Sequence, residues 1–288
     1  MTALPSFGVG VSYRSPWRHA VRAQRDRLGC LEIMADDYLD RRPERERELS
    51  ELSDLFPLLP HAIATSLGTD EPLDEGRLRQ LAELVERTNA PWASEHLAFT
   101  HAHGLNLGHL ASLPFSREAV AVVVRNARRW RSVVGVPLLV ENIACVVPLP
   151  GELTEAQFLT EIVEGADCGL LLDLHNVHAN AINHGFDAHE LLSSLPLERV
   201  GQIHLGGGHD APEGFRMDSH SSATPEPVWE LLGYVAARAE VNAVIVEWDL
   251  NLPPFEVMLA EVARAEALLR EASHGAARFA GSTGAAVR

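Results

Sequence analysis

The stretch Gly169-Leu-Leu-Leu-Asp-Leu-His-Asn-Val-His-Ala-Asn180 decides the fold. It opens as an apolar run with leucines at successive positions. That is the pattern of a strand buried on both faces, as in parallel sheets covered by helices. It closes abruptly on Asp173, His175, Asn176 and His178, side chains that ligate metals or exchange protons. A buried aspartate is costly unless it is paired, hydrogen-bonded or bound to a cation. A strand that carries one to its end therefore predicts a site there.

Working outward, comparable short apolar runs occur at Phe7–Val11, Cys30–Met34, Leu59–Ser66, Trp92–Leu97, Pro137–Ile143, Val200–Leu205 and Ala243–Asp249. With Gly169–Asn176 they predict eight strands. Helical patterns alternate with them. Asp74–Thr88 carries its leucines on one stripe, Ser116–Val133 begins with a capping serine, Thr154–Glu164 with a capping threonine, and Pro225–Ala239 and Pro254–Ala272 with proline. Eight strand–helix units in 288 residues predict an α/β fold, a single-domain (β/α)8 TIM barrel. It should span residues 1–272, with 273–288, where periodicity is lost, as a flexible C-terminal tail. An open doubly wound sheet would need a glycine-rich phosphate turn after an early strand. Gly206-Gly207-Gly208 comes late and lacks that spacing. Residues 100–114 and 206–222 read as long loops over the top of the barrel, and the charge run Arg41–Glu48 as a solvated face.

Composition narrows the function. With 46% hydrophobic residues the chain can bury a large core, and its net charge of −16 argues against a nucleic-acid surface. No apolar stretch approaches the roughly 20 residues that span a bilayer, and the start lacks a signal-peptide pattern. Cys30, Cys145 and Cys168 are scattered, which reads as reduced, cytoplasmic and mostly buried.

The strand ends carry the chemistry. They deliver His61, His96, Glu141-Asn142, Asp173 with Asn176, His204 and Glu247 in turn, and the loop after the seventh adds Asp218 and His220. All carboxyl ends of barrel strands converge on one face. A lone strand-end histidine is usually structural; the joint pattern across consecutive units is what points to a site. Carboxylates mixed with imidazoles suit Fe, Mn or Zn. Glu141, Asp173, Asp218 and Glu247 would bring four negative charges together, which two divalent ions would balance. Nine candidate ligands are too many for one ion with open positions, so a cluster of two or three metals fits best. His101, His103, His109, His184 and His209 fall in loops and read as solvated. Neither a G-x-S-x-G elbow nor an H-E-x-x-H helix occurs.

At these residues the chain resembles a known family, the multinuclear non-haem iron-dependent oxidative enzymes that include the methanobactin-biosynthesis oxidase. The segments that carry the resemblance are Gly8-Val9-Gly10, His61 with Ser66-Leu67-Gly68, Ser94-Glu95-His96-Leu97, Glu141-Asn142, Leu172-Asp173-Leu174-His175-Asn176, Gln202-Ile203-His204-Leu205, Asp218-Ser219-His220 and Glu247-Trp248-Asp249. The resemblance implies a TIM barrel holding two or three iron ions, mixed Fe(II) and Fe(III), with dioxygen as co-substrate. It implies modification of a ribosomally made precursor peptide, often at cysteine, with a small partner protein that presents the peptide. Carried over by position, His61, His96, Glu141, Asp173, His204 and Glu247 would hold two irons. Asn176, Asp218 and His220 would hold a third or support the others. Glu141 would bridge, and Glu141, His96 and Asp173 would lie at the reacting centre. Asp36-Asp37 stands where the family commonly shows Glu-Asn, and His175 where Asn is common, so no particular substrate is carried over. His175 or His178 could also take the place of Asn176 as ligand. The competing reading is a non-redox divalent-metal barrel, a xylose-isomerase-like isomerase or an endonuclease-like phosphodiesterase. The isomerase usually places a lysine near its metals, and this sequence has none; the nuclease needs a basic rim.

Overall fold

The computed structural model describes residues 3–102 and 104–283; His103, read above as solvated, lies outside them, as do 284–288. The strands are β1 (Gly8–Ser12), β2 (Leu31–Met34), β3 (Leu58–Ala62), β4 (Ala93–His96), β5 (Phe99–Ala102), β6 (Leu105–Ala111), β7 (Leu138–Glu141), β8 (Gly169–Asp173), β9 (Val200–Leu205), β10 (Gly207–Asp210), β11 (Arg216–Ser222) and β12 (Ala243–Val246). Eight of them close a parallel barrel in the order β1-β12-β9-β8-β7-β4-β3-β2. The single TIM barrel expected from strand–helix alternation is therefore observed.

Alternation along each strand explains how one barrel holds both a core and a site. On β8, Leu170 and Leu172 face the helices and Leu171 faces the barrel interior, so Asp173 also points inward. The inward Leu171 joins Cys30, Leu59, Trp92, Leu139 and Ile245 in an apolar plug. Two residues further along the same strands come Glu32, His61, Ser94, Glu141, Asp173 and Glu247. The lower barrel is thus sealed by apolar side chains, and the next layer up is polar. Register sets neighbours within that layer, pairing His96 with Glu141 and Asp173 with His204.

The helices follow the caps. Asp74 accepts from the Gly76 and Arg77 amides, Ser116 from Ala119, and Thr154 forms a capping box with Gln157. Among the described residues no helix is long and apolar enough to cross a membrane.

The structure differs from expectation at four places. The strand predicted to Asn176 ends at Asp173, and Leu174–His184 is helical. The Asp173 carboxylate accepts from the Asn176 amide at 2.6 Å and starts that helix, so His175, Asn176 and His178 project from helical turns. The two long loops are antiparallel hairpins, β5–β6 and β10–β11. The charge run is not a solvated face throughout: Pro43–Ser53 is a helix, and its Glu48 is buried, accepting from Tyr13 Oη at 2.7 Å, Tyr38 Oη at 3.2 Å and Arg45 Nη1 at 2.7 Å. Last, the final helix runs Phe255–Thr283, past the expected break at Ser273. The alanines after Gly275 have high helix propensity, which favours its continuation.

Candidate metal centre

Two groups of donors share one residue. Glu141 Oε2 lies 3.2 Å from His61 Nε2 and 3.3 Å from His96 Nε2. The other oxygen, Oε1, lies 3.4 Å from His204 Nδ1. That nitrogen faces Glu247 Oε2 at 2.9 Å and Asp173 Oδ2 at 3.9 Å. His220 Nε2 completes the second group, 3.2 Å from Asp173 Oδ2 and 3.5 Å from Glu247 Oε2. His61, His96 and Glu141 could together hold one ion, as could Glu141, Asp173 and His204, or Asp173, His220 and Glu247.

Each imidazole has one nitrogen engaged outside the cluster and the other turned into it. His96 Nδ1 is 3.1 Å from the Ala62 carbonyl, which can only accept, so Nδ1 carries a proton and Nε2 is the nitrogen turned to the cluster. His220 Nδ1 meets the Asp218 carboxylate at 2.9 Å by the same logic. His61 Nδ1 meets the Ser94 hydroxyl at 2.8 Å. Metal-bound histidines are held this way by an outer partner. The inward atoms are buried without hydrogen bonds: Glu141 Oε2, Asp173 Oδ2, Asn176 Oδ1, His204 Nδ1 and His220 Nε2. Buried polar atoms are rarely left unpaired, and this donor set suits bound divalent cations.

Electrostatics point the same way. Burial raises the Glu141 carboxyl above the usual carboxylate range. Burial would lower His96, yet the Glu141 and Glu95 carboxylates override it and raise it to about 10. His204 and His220 are likewise depressed by burial but lifted well above the ordinary range by carboxylates, Glu32 first for His204 and Glu247 first for His220. His61 goes well below, by burial and the neighbouring His96 and His204. The cluster calls for positive charge, which protons or metal ions can supply.

Of the residues read from the sequence, His61, His96, Glu141, Asp173, His204, His220 and Glu247 converge. Asp218 stands one step back, on the far side of the His220 ring. Asn176 lies beside Asp173, donating from Nδ2 to the Asn142 carbonyl at 3.1 Å and leaving Oδ1 free. His175 is fully buried with neither ring nitrogen hydrogen-bonded, and its ring packs on His220 at 5.5 Å. It belongs to none of the donor groups found among the described residues.

Four residues to which sequence reading assigned no role support the site. Glu32 lies 2.8 Å from His204 Nε2. Arg14 reaches Glu247 at 3.5 Å and pairs with Asp249. Asn142 accepts from the Asp173 amide at 2.9 Å and donates to its carbonyl at 3.0 Å, which pins the start of the helix. Gln202 bonds Glu32. An acidic residue at the inward position of a buried strand, as in Leu31-Glu-Ile-Met, was the available signal. Beside Arg14 a cavity of about 210 Å³ is lined by Tyr13, Tyr38, Arg45 and Asp249.

The His220 backbone has φ +38°, a region non-glycine residues seldom adopt. A Cβ on Gly206 would overlap the His220 ring, 2.8 Å from Nε2 and closer still to Cδ2. Gly206→Ala should therefore turn His220 out of the second group. We expect a loss of roughly 10–100-fold in metal affinity, as for disturbed outer partners, measured by titrating the purified variant with cobalt(II).

Fold and site define a class, a (β/α)8 barrel with buried imidazole–carboxylate donors at its C-terminal face. Solved structures share the fold. Endonuclease IV from Thermus thermophilus superposes with TM-score 0.57 at 17% identity, over 93% of this chain and 100% of that one. D-psicose 3-epimerase from Clostridium cellulolyticum gives 0.54 at 12%, over 93% and 97%. The chain belongs to the family described as RiPP precursor modification enzyme MbnB/TglH/ChrH, which it matches over residues 8–270. Among its relatives, a UPF0276 protein of Pseudomonas aeruginosa is 35% identical over 88% of this chain and 89% of its own length. Another from Chromobacterium violaceum is 34% identical over 93% and 97%.

Proposed function

We propose that this protein is a multinuclear iron-dependent oxidase that uses dioxygen to modify a ribosomally synthesised precursor peptide, often at a cysteine. The observation that carries the reading is Glu141, whose two oxygens face two separate donor groups. A carboxylate so placed could serve two ions at once. When bound, iron supplies an open coordination position for dioxygen and the electrons to reduce it. The chain's own residues do the rest. His61, His96 and Glu141 would hold one ion, while Asp173, His204, His220 and Glu247 would hold the second. Asn176 Oδ1 stands free beside them for a further ion or a polar substrate atom. The apolar plug below the site closes the lower barrel to water, so the peptide enters from the strand-end face, where Arg14 and the neighbouring cavity lie. A small partner protein presents the peptide there.

The fold neighbours also fit a non-redox metal barrel, but their low identity carries the fold alone. The test is elemental analysis of protein purified without oxygen, followed by dioxygen uptake with a precursor peptide. We expect two to three iron per chain and a mass change on the peptide. A protein replete with zinc alone and active on a phosphodiester or sugar would overturn the reading.

A further inference from the structure

The interior of the barrel contains a hydrogen-bonded row, Trp92, Gln202, Glu32 and His204, that runs from the apolar plug up to the metal centre. Its proton positions follow from Trp92. The indole is fully buried and can only donate, and its Nε1 lies 2.9 Å from Gln202 Oε1. This fixes the orientation of the amide, so Gln202 Nε2 is the end that meets Glu32 Oε2, at 2.5 Å. The same oxygen lies 2.8 Å from His204 Nε2. Gln202 Nε2 also lies 3.1 Å from His204 Nε2; with the Glu32 carboxylate accepting from both, that nitrogen of the imidazole carries a proton. The opposite nitrogen, Nδ1, faces Glu247, Glu141 and Asp173, buried and without a hydrogen bond, and is the atom a cation can take once its proton is displaced.

We infer that Glu32 is the positioning residue of the metal centre, orienting His204 so that Nδ1 is the ligand atom and supplying the negative charge behind its ring. This inference rests on the metal reading proposed above. Glu32 could join His204 and Glu247 around an ion, but its Oε2 is taken up on the Nε2 side of the ring, away from the Nδ1 group. It acts through His204. Gln202 and Trp92 hold the carboxylate in place, and because their row is buried no water can substitute for it.

The test uses cobalt(II) alone as probe on the full-length metal-free protein, wild type against Glu32→Gln and Glu32→Asp. Glu32→Gln keeps the shape and removes the charge. It should bind cobalt roughly 10–100-fold more weakly, the usual cost of losing an outer partner, with a changed ligand-field spectrum. Glu32→Asp should fall between. A second measurement needs no variant to fold well. Ring ¹⁵N resonances of the zinc-loaded wild type, with His204 assigned by its loss in His204→Gln, should show zinc on Nδ1 and an exchange-protected proton on Nε2. Equal cobalt affinity and an unchanged spectrum in Glu32→Gln, or zinc on Nε2, would overturn the inference while leaving the metal reading standing. A wild type that binds neither metal would overturn both.

Discussion

Glu141→Gln should leave the barrel folded and abolish turnover. The substitution is nearly isosteric, and β7 is held in register by β4 and β8, so the backbone has no cause to move. The chemistry changes completely. The carboxylate presents Oε2 to His61 and His96 and Oε1 to His204. An amide presents one oxygen and one NH2, so one donor group loses its anionic member and faces a hydrogen-bond donor instead. Of the two proposed cations, one would then lose a ligand and both would lose the shared negative charge. The loss should exceed the roughly 10–100-fold that follows removal of an outer partner. Asp218→Asn supplies that comparison, because Asp218 touches only the far side of His220 among the donors. Iron content and dioxygen uptake on the two variants decide the matter. A Glu141→Gln protein that keeps all its iron and its activity would remove Glu141 from the site.

The sequence showed the site better than it showed the path of the chain. Strand ends were readable because inward positions alternate, so Leu171 and Asp173, or Leu139 and Glu141, are one period apart and share a face. The boundary after Asp173 was not readable, because an aspartate suits a strand end and a helix cap equally and the following Leu-His-Asn is neutral between the two. The hairpins β5–β6 and β10–β11 were hidden by glycine and histidine, which give no alternating apolar signal where one face is wet. Glu48 was hidden by its neighbours. In Arg-Arg-Pro-Glu-Arg-Glu-Arg-Glu the charge pattern is uniform, and only the fold shows that this one carboxylate turns inward onto Tyr13 and Tyr38. Glu32, Gln202 and Arg14 needed the closed barrel, since their partners are far away in sequence.

The closed barrel also explains why such different chemistries share it. Endonuclease IV and the epimerase align over nearly their whole lengths at low identity. In this chain Glu141, which faces two donor groups, and the row beneath His204 define a polar layer resting on an apolar floor. Both depend on which residue type occupies the inward position nearest each strand end, a choice the scaffold leaves open.

Removing the metals should lower the melting temperature markedly. Glu32, Glu141, Asp173 and Glu247 are all buried within one layer. Two like charges about 4 Å apart repel by roughly 4 kcal/mol at an effective dielectric near 20. Protons can relieve part of this, since carboxylates hold His96, His204 and His220 above their ordinary range. Metal binding must then displace those protons, so the pH of a weakly buffered sample should fall when metal is added. A ligand present at 100 times its dissociation constant stabilises the folded state by ~2.7 kcal/mol. At about 2–4 °C per kcal/mol for a domain approaching this size, the melting temperature should drop by roughly 5–10 °C on chelation. It should recover on readdition of metal. Calorimetry on chelated and reloaded protein measures the shift, with elemental analysis confirming that the chelated sample is metal-free. An unchanged melting temperature in such a sample would mean that protons alone satisfy these carboxylates, and the cluster would then be a buried ion-pair network rather than a metal centre.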